Sequence, residues 1–153
     1  MKRILLAFLL ILLPVSPAQS STLITLTAPT TKLADGRFIN NELAISISPG
    51  GDLGKALEIK PSNGRTWLID PALIEEITDL VDGYIYLDQE GKDVEVAPFD
   101  FANTWLIKLK SLISNNRVVA ITYGAPSRAF LERIAPGELL NYNSLSKLRL
   151  EAF

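Results

Sequence analysis

The 153-residue chain combines 48% hydrophobic side chains with a formal net charge of −2, and it contains neither cysteine nor histidine. These absences exclude a disulfide framework, a thiol nucleophile, a thiolate metal site and the catalytic arrangements that depend on histidine. The weakly acidic balance gives no clustered positive surface for nucleic acid, so the sequence predicts no metal, no cofactor and no nucleic-acid partner.

The first twenty residues have the three-part pattern of a secretory signal peptide. Two basic residues precede an unbroken apolar run, residues 4–13, which is followed by Pro14 and small residues. The run is about half of the roughly 20 residues that a membrane span needs. We therefore expect an exported protein with cleavage after Ala18 or Ser20 and no further membrane contact; an uncleaved N-terminal anchor is the alternative.

The segment that follows, residues 21–42, is predicted to be irregular or to contain one short strand. Residues 43–48 then alternate between larger apolar and smaller side chains, which is the period of a β-strand. Pro49 and two glycines stop this predicted strand. A short helix, with Asp52 as its cap, is expected after the turn.

Residues 65–70 form an almost continuous apolar run, as strands buried on both faces of a sheet do. The run ends at Asp70 and Pro71, which are favoured at a helix N-cap and at the first helical position. Apolar side chains then recur at spacings of three and four residues, and Gly83 is well placed to end the helix. The pattern predicts a strand followed directly by an amphipathic helix.

The second half of the chain is predicted to continue this alternation. A short strand at residues 84–87 leads into a polar loop, residues 88–98, and then into a long amphipathic helix. Residues 117–123 form another buried-type strand, followed by a helix that starts at Pro126 and by a last helical stretch.

This order of elements predicts an α/β domain, residues 43–153, with a mostly parallel sheet and flanking helices. Its three clearest strands make a small sheet for this class, in which about 4–6 strands are more usual. The domain is therefore either a compact unit or the first part of a larger (β/α) barrel.

Ligands of open parallel sheets and of barrels bind beyond the carboxyl ends of the strands. Three predicted corners lie there, and we expect them to converge: residues 48–52, Asp70, and residues 122–126. Gly50 and Gly51 are candidate ligand contacts, because glycines between a strand and a helix can approach a nucleotide phosphate. The alternative is a plain turn, which the absence of a P-loop Gly-Lys-Ser/Thr favours.

With no histidine or cysteine, an enzyme built on this chain would have to use carboxylates. Asp70 is the best catalytic candidate by position, with Asp52 as its partner if their strands are neighbours; the alternative role for Asp70 is a helix cap. Tyr123 either stacks on a sugar at the mouth of the site or closes the end of the core. Arg128, whose charge opposes the helix dipole, is a candidate contact for an anion or carboxylate.

Two stretches resemble part of a family of actinobacterial secreted envelope proteins: RTWLIDPALIEEITDLVDGY and NTWLIKLKSLISNNRVVAITYGAPSRAFLERI. The motifs that carry the resemblance are the strand ending in Asp70-Pro71-Ala72-Leu73 and the strand ending in Tyr123-Gly124 with Pro126 after it. The resemblance covers residues 43–134 and implies an incomplete (β/α) barrel similar to polysaccharide deacetylases or glycosidases. Members of that family are longer and carry further domains.

Together these observations predict an exported cell-envelope protein that binds a glycan or another envelope protein through the strand-end face without catalysing a reaction. A carboxylate-dependent carbohydrate hydrolase built on Asp70 is one alternative. A truncated fragment of a larger barrel protein is the other.

Overall fold

A three-stranded parallel sheet flanked by helices organises the chain. The computed structural model describes residues 22–60, 65–98 and 100–153, so the predicted signal segment and its cleavage points lie outside the described residues. In chain order the elements are β1 (Thr22–Leu26), α1 (Glu42–Ile47), α2 (Asp52–Ala56), β2 (Arg65–Ile69), α3 (Pro71–Leu80), β3 (Tyr84–Leu87), β4 (Asp93–Val96), α4 (Asp100–Asn115), β5 (Arg117–Ala120), α5 (Arg128–Ile134) and α6 (Glu138–Ala152).

The strands of the sheet lie in the order β1-β2-β5, and both neighbouring pairs are parallel. Leu26 of β1 lies opposite Ile69 of β2, which in turn lies opposite Ala120 of β5. The three carboxyl ends therefore meet at one edge. The apolar run of β2 is explained by its central position, which buries Trp67 and Ile69. The described residues form this open sheet and no closed barrel.

The predicted strand at residues 43–48 is wrong, because the chain there forms helix α1. Leu43, Ala44 and Ile47 are buried whereas Ile45 is 61% exposed, which is the spacing of a helix face and not of a strand face. A stretch this short fits either period, and packing against α3 and α4 decides between them. The place beside β2 is taken instead by β1, which is the short strand expected in the preceding segment.

The predicted loop at residues 88–98 is wrong in part, since it contains β4, which pairs with β3 in an antiparallel hairpin. In the hairpin turn, Oδ1 of Asp88 accepts the backbone N–H groups of Glu90 and Lys92 at 3.0 and 2.8 Å. Strand β4 alternates exposed acidic residues with half-buried valines. Its acidic residues make the stretch as polar as a loop, so the alternation that is typical of a strand was not recognised in the sequence.

The core forms where α3 and α4 pack together. Helix α3 buries its apolar face, and Ile77 and Leu80 are almost fully covered, as the three- and four-residue spacing predicts. From α4, the buried Trp105 donates its indole N–H to the carbonyl oxygen of Leu53 at 3.0 Å. This hydrogen bond ties α4 to α2, so the two helices that precede β2 are held against the same core.

Candidate functional site at the carboxyl edge of the sheet

Asp70 lies at the carboxyl end of the central strand and is only 1% exposed. Its Oδ1 accepts the backbone N–H of Ala72 at 3.0 Å, which makes Asp70 the N-cap of α3, as the Asp-Pro pair predicts. The same oxygen accepts the backbone N–H of Gly124 at 3.0 Å. One carboxylate therefore joins the start of α3 to the corner between β5 and α5, and two of the three predicted corners converge.

The backbone between β5 and α5 adopts a conformation that brings the amide of Gly124 to Asp70. Gly124 has a φ of 69°, a left-handed conformation that glycine adopts without steric cost, and Ala125 follows with a φ of 42°. The turn is closed by a hydrogen bond of 2.8 Å from the N–H of Ala125 to the carbonyl oxygen of Thr122. The positive φ of Gly124 thus directs its amide toward the carboxylate of Asp70.

Burial raises the pKa of the Asp70 carboxyl above its ordinary value. The hydrogen bonds from Ala72, from Gly124 and from the side chain of Thr27 act in the opposite direction, because they stabilise the ionised form. The loss of hydration is the larger effect. Asp70 is therefore a carboxylate held by uncharged donors in a poorly hydrated position.

A second buried carboxylate, Glu76, lies on the same helix and is 7% exposed. Its Oε2 accepts both the backbone N–H and the hydroxyl of Thr31 at 3.1 Å. Burial raises the pKa of this carboxyl, and the negative charge of Asp70 raises it further. Glu76 is not among the site residues predicted from the sequence; the available signal was its position three residues after Leu73 and four before Leu80, on the apolar face of α3.

A cleft of about 340 Å³ lies at this edge of the sheet; Glu76 is among its lining residues, whereas Asp70 is not. One wall comes from the loop between β1 and α1, another from the outer side of α3, and a third from the corner after β5. The polar side chains that line the cleft are Thr30, Lys32, Glu75, Glu76, Asp79 and Tyr123. Leu33, Ala34 and Ala72 add apolar surface.

Tyr123 is the sequence-predicted ligand contact that the structure places in this cleft. Its hydroxyl donates to Oε2 of Glu75, while Nε of Arg149 lies 3.2 Å from the other oxygen of the same carboxylate. Burial, followed by the hydrogen bond to Glu75, raises the pKa of Tyr123 to about 12. The phenol is therefore a protonated hydrogen-bond donor at neutral pH.

The other predicted site residues lie elsewhere. Asp52 is the first residue of α2, with Gly51 as the N-cap, and the described hydrogen bonds of Asp70 involve neither Asp52 nor the two glycines. The reason for placing residues 48–52 at this edge is lost, because the element before them is α1 and not a strand of the sheet. The neighbouring strands that an Asp52–Asp70 pair requires are likewise absent from the described sheet.

Arg128 begins α5, outside the residues that line the cleft. Its Nε lies 2.7 Å from Oε1 of Glu132, one helical turn along. This exposed pair offsets the unfavourable position of a cation in the first turn. The partner of Arg128 in the structure is therefore a carboxylate of its own helix.

We expect the protein to gain stability relative to its Asp70→Asn variant as the pH falls from neutral. A carboxyl whose pKa is raised by folding binds its proton more tightly in the folded than in the unfolded chain. The gain begins as the pH falls through the raised pKa and is complete below the ordinary value of 3.8. Urea unfolding of both proteins across this range measures it, and a relative loss on acidification would contradict the assignment.

Within the described ranges there is no cluster of three or more acidic residues placed to hold a metal ion. None of the helices in the described part is both long and apolar enough to cross a bilayer. The chain matches no protein-family model, no curated protein and no solved structure. The cleft and the residues that line it therefore carry the functional interpretation.

Proposed function

We propose that this protein is an exported, non-catalytic binding protein of the cell envelope, and that the cleft at the carboxyl edge of the sheet recognises a glycan. The observation that carries the proposal is that the carboxylates differ in position and in hydrogen-bond partners. Asp70 is committed to backbone amides and lies outside the cleft lining, whereas Glu75, Asp79 and Tyr123 line the cleft.

The chemistry of the cleft suits a sugar. Sugar hydroxyls donate to carboxylates and to a phenol oxygen and accept from ammonium groups, and Glu75, Asp79, Tyr123 and Lys32 supply these partners. A tyrosine ring and small apolar residues offer a surface for the C–H face of a sugar ring. The volume lies within the range of about 300–1,000 Å³ that is typical of small-molecule sites.

The geometry argues against Asp70 as a hydrolytic residue. Glycoside hydrolysis requires two carboxyl groups about 5–10 Å apart that both reach the substrate. Asp70 is 1% exposed, and one oxygen already accepts two backbone N–H groups. An acid in this position holds the polypeptide together and cannot approach a glycosidic bond in the cleft.

A glycan microarray probed with the purified protein tests the proposal. We expect binding to a set of glycans, and we expect Tyr123→Phe to weaken binding to the same set about fivefold, since one hydrogen bond contributes about 1 kcal/mol. Tyr142→Phe on α6 is the matched control, because it removes a phenol hydroxyl from outside the cleft lining and should leave binding unchanged.

Two results would overturn this assignment. One is an array without bound glycans under conditions in which the protein is folded. The other is equal binding by the protein, by Tyr123→Phe and by Asp79→Asn. Release of reducing ends from a bound glycan would show catalysis and would reject the non-catalytic role.

A further inference from the structure

A cavity of about 380 Å³ lies between the residues that follow α2 and the second half of α4. Trp67 of the central strand β2 is one of its lining residues, and Leu57, Ile59 and Leu112 add apolar surface. The cavity and the cleft at the carboxyl edge have no described lining residue in common. Its volume is within the range of about 300–1,000 Å³ that is typical of small-molecule sites, so it is a separate candidate site.

Trp67 carries a hydrogen-bond donor that lacks an acceptor. The residue is 1% exposed, and its indole N–H has no partner within the described residues. The buried Nε of Arg65, two positions earlier and on the same face of β2, also lacks one. Trp105, by contrast, donates its indole N–H to the carbonyl oxygen of Leu53 at 3.0 Å, as buried tryptophans usually do. Because an unpaired buried donor is costly, this wall of the cavity favours a ligand that brings an oxygen.

Lys108 adds a positive charge that is only loosely paired. Its Nζ lies 3.8 Å from Oε1 of Glu58, which is beyond hydrogen-bond distance, and the two side chains are 52% and 58% exposed. Both residues line the cavity. An exposed pair of this kind contributes little to stability, so the ammonium group can exchange Glu58 for an anion bound in the cavity.

We propose that this cavity binds a small apolar carboxylic acid. The carboxylate oxygens accept from the indole N–H of Trp67 and from the ammonium group of Lys108, and the hydrocarbon part packs against the apolar lining. An amine of the same shape would bring no acceptor to Trp67 and would be repelled by Lys108. This site is independent of glycan recognition at the other cleft.

NMR of the two indole N–H groups of the full protein tests the proposal, with octanoate as the probe. The chain has two tryptophans, and sequential assignment distinguishes their indole signals. We expect octanoate to move the Trp67 indole proton downfield, because a hydrogen bond to a carboxylate deshields it. The Trp105 signal should stay in place, since its N–H already donates to Leu53. Octylammonium has the same hydrocarbon chain and no acceptor, and it should not produce the downfield shift.

Substitutions of exposed residues on α4 locate the site without changing the core. Ser111→Phe adds a ring at the cavity lining and should abolish the Trp67 shift, whereas Ser114→Phe lies outside the lining and should preserve it. Lys108→Gln should weaken octanoate binding about fivefold, the upper range for an exposed ion pair. Lys110→Gln, which removes a cation of the same helix from outside the lining, should leave the affinity unchanged.

Three results would reject this site: a Trp67 signal that octanoate does not move, the same downfield shift with octylammonium, and a shift that survives in Ser111→Phe. Equal shifts at Trp67 and Trp105 would show non-specific association of the hydrocarbon chain with the core and would also reject it. Failure of the glycan array would leave these measurements unaffected.

Discussion

Asp70→Ala is expected to lower the free energy of unfolding by about 3 kcal/mol, whereas Asp70→Asn is expected to change it by less than about 1 kcal/mol. Alanine removes the cap of α3, which contributes about 1 kcal/mol, and leaves the Gly124 amide without its acceptor, which costs about 1–3 kcal/mol. Asparagine keeps an oxygen that can accept from both amides and places no charge in a poorly hydrated position.

Urea unfolding at neutral pH separates these two substitutions. Thr78→Ala is a control on the same helix, since it removes a methyl group and a hydroxyl whose hydrogen bond goes to the carbonyl oxygen of Ile74, within α3. Equal destabilisation by alanine and asparagine would mean that the negative charge itself is required. That result would contradict the view that Asp70 acts mainly as a hydrogen-bond acceptor for the backbone.

The role of Asp70 shows what local sequence signals can predict. The N-cap follows from the Asp-Pro pair alone, because both preferences arise from backbone geometry within one helical turn. The approach of Gly124 follows from parallel strands whose carboxyl ends share an edge, and it required β2 and β5 to be adjacent. The sequence predicts both strands, and the structure confirms the convergence.

The third strand at this edge, β1, could not be predicted in the same way. Residues 43–48 carry apolar side chains at alternate positions, and a six-residue segment of this kind satisfies a strand or a helix. Burial of Leu43 and Ile47 against other helices decides the outcome, and that is a long-range effect. In the structure β1 lies beside β2, and the loop after β1 carries Thr31. Because the sequence did not place β1 at this edge, it gave no reason to pair Thr31 with Glu76.

The wrong assignment of residues 43–48 also affects the interpretation of the glycines that follow them. With a strand before them, Gly50 and Gly51 fit loosely with a phosphate-binding turn. With α1 before them, they lie at a tight junction between two short helices. A Cβ on Gly51 would lie 2.2 Å from the carbonyl oxygen of Ser46, and a Cβ on Gly54 would lie 1.9 Å from that of Ser48.

Gly54→Ala is therefore expected to destabilise the protein by about 3 kcal/mol, and Gly51→Ala by a similar amount, because backbone atoms must move to admit the methyl group. Alanine gains about 1 kcal/mol of helix propensity at Gly54, which is too little to offset a contact of 1.9 Å. Gly50→Ala is the matched control: a Cβ there meets no atom within 4 Å, and its stability should be unchanged within about 0.5 kcal/mol.

Thermal and urea unfolding of the three variants distinguish packing from ligand contact. If the glycines exist to fit α1 against α2, the loss of stability appears without any ligand in Gly51→Ala and Gly54→Ala and is absent in Gly50→Ala. If Gly51→Ala and Gly54→Ala were as stable as Gly50→Ala, the junction would have room for side chains. The presence of glycine at these positions would then not be explained by packing, and close approach of the backbone to a ligand would be the better explanation.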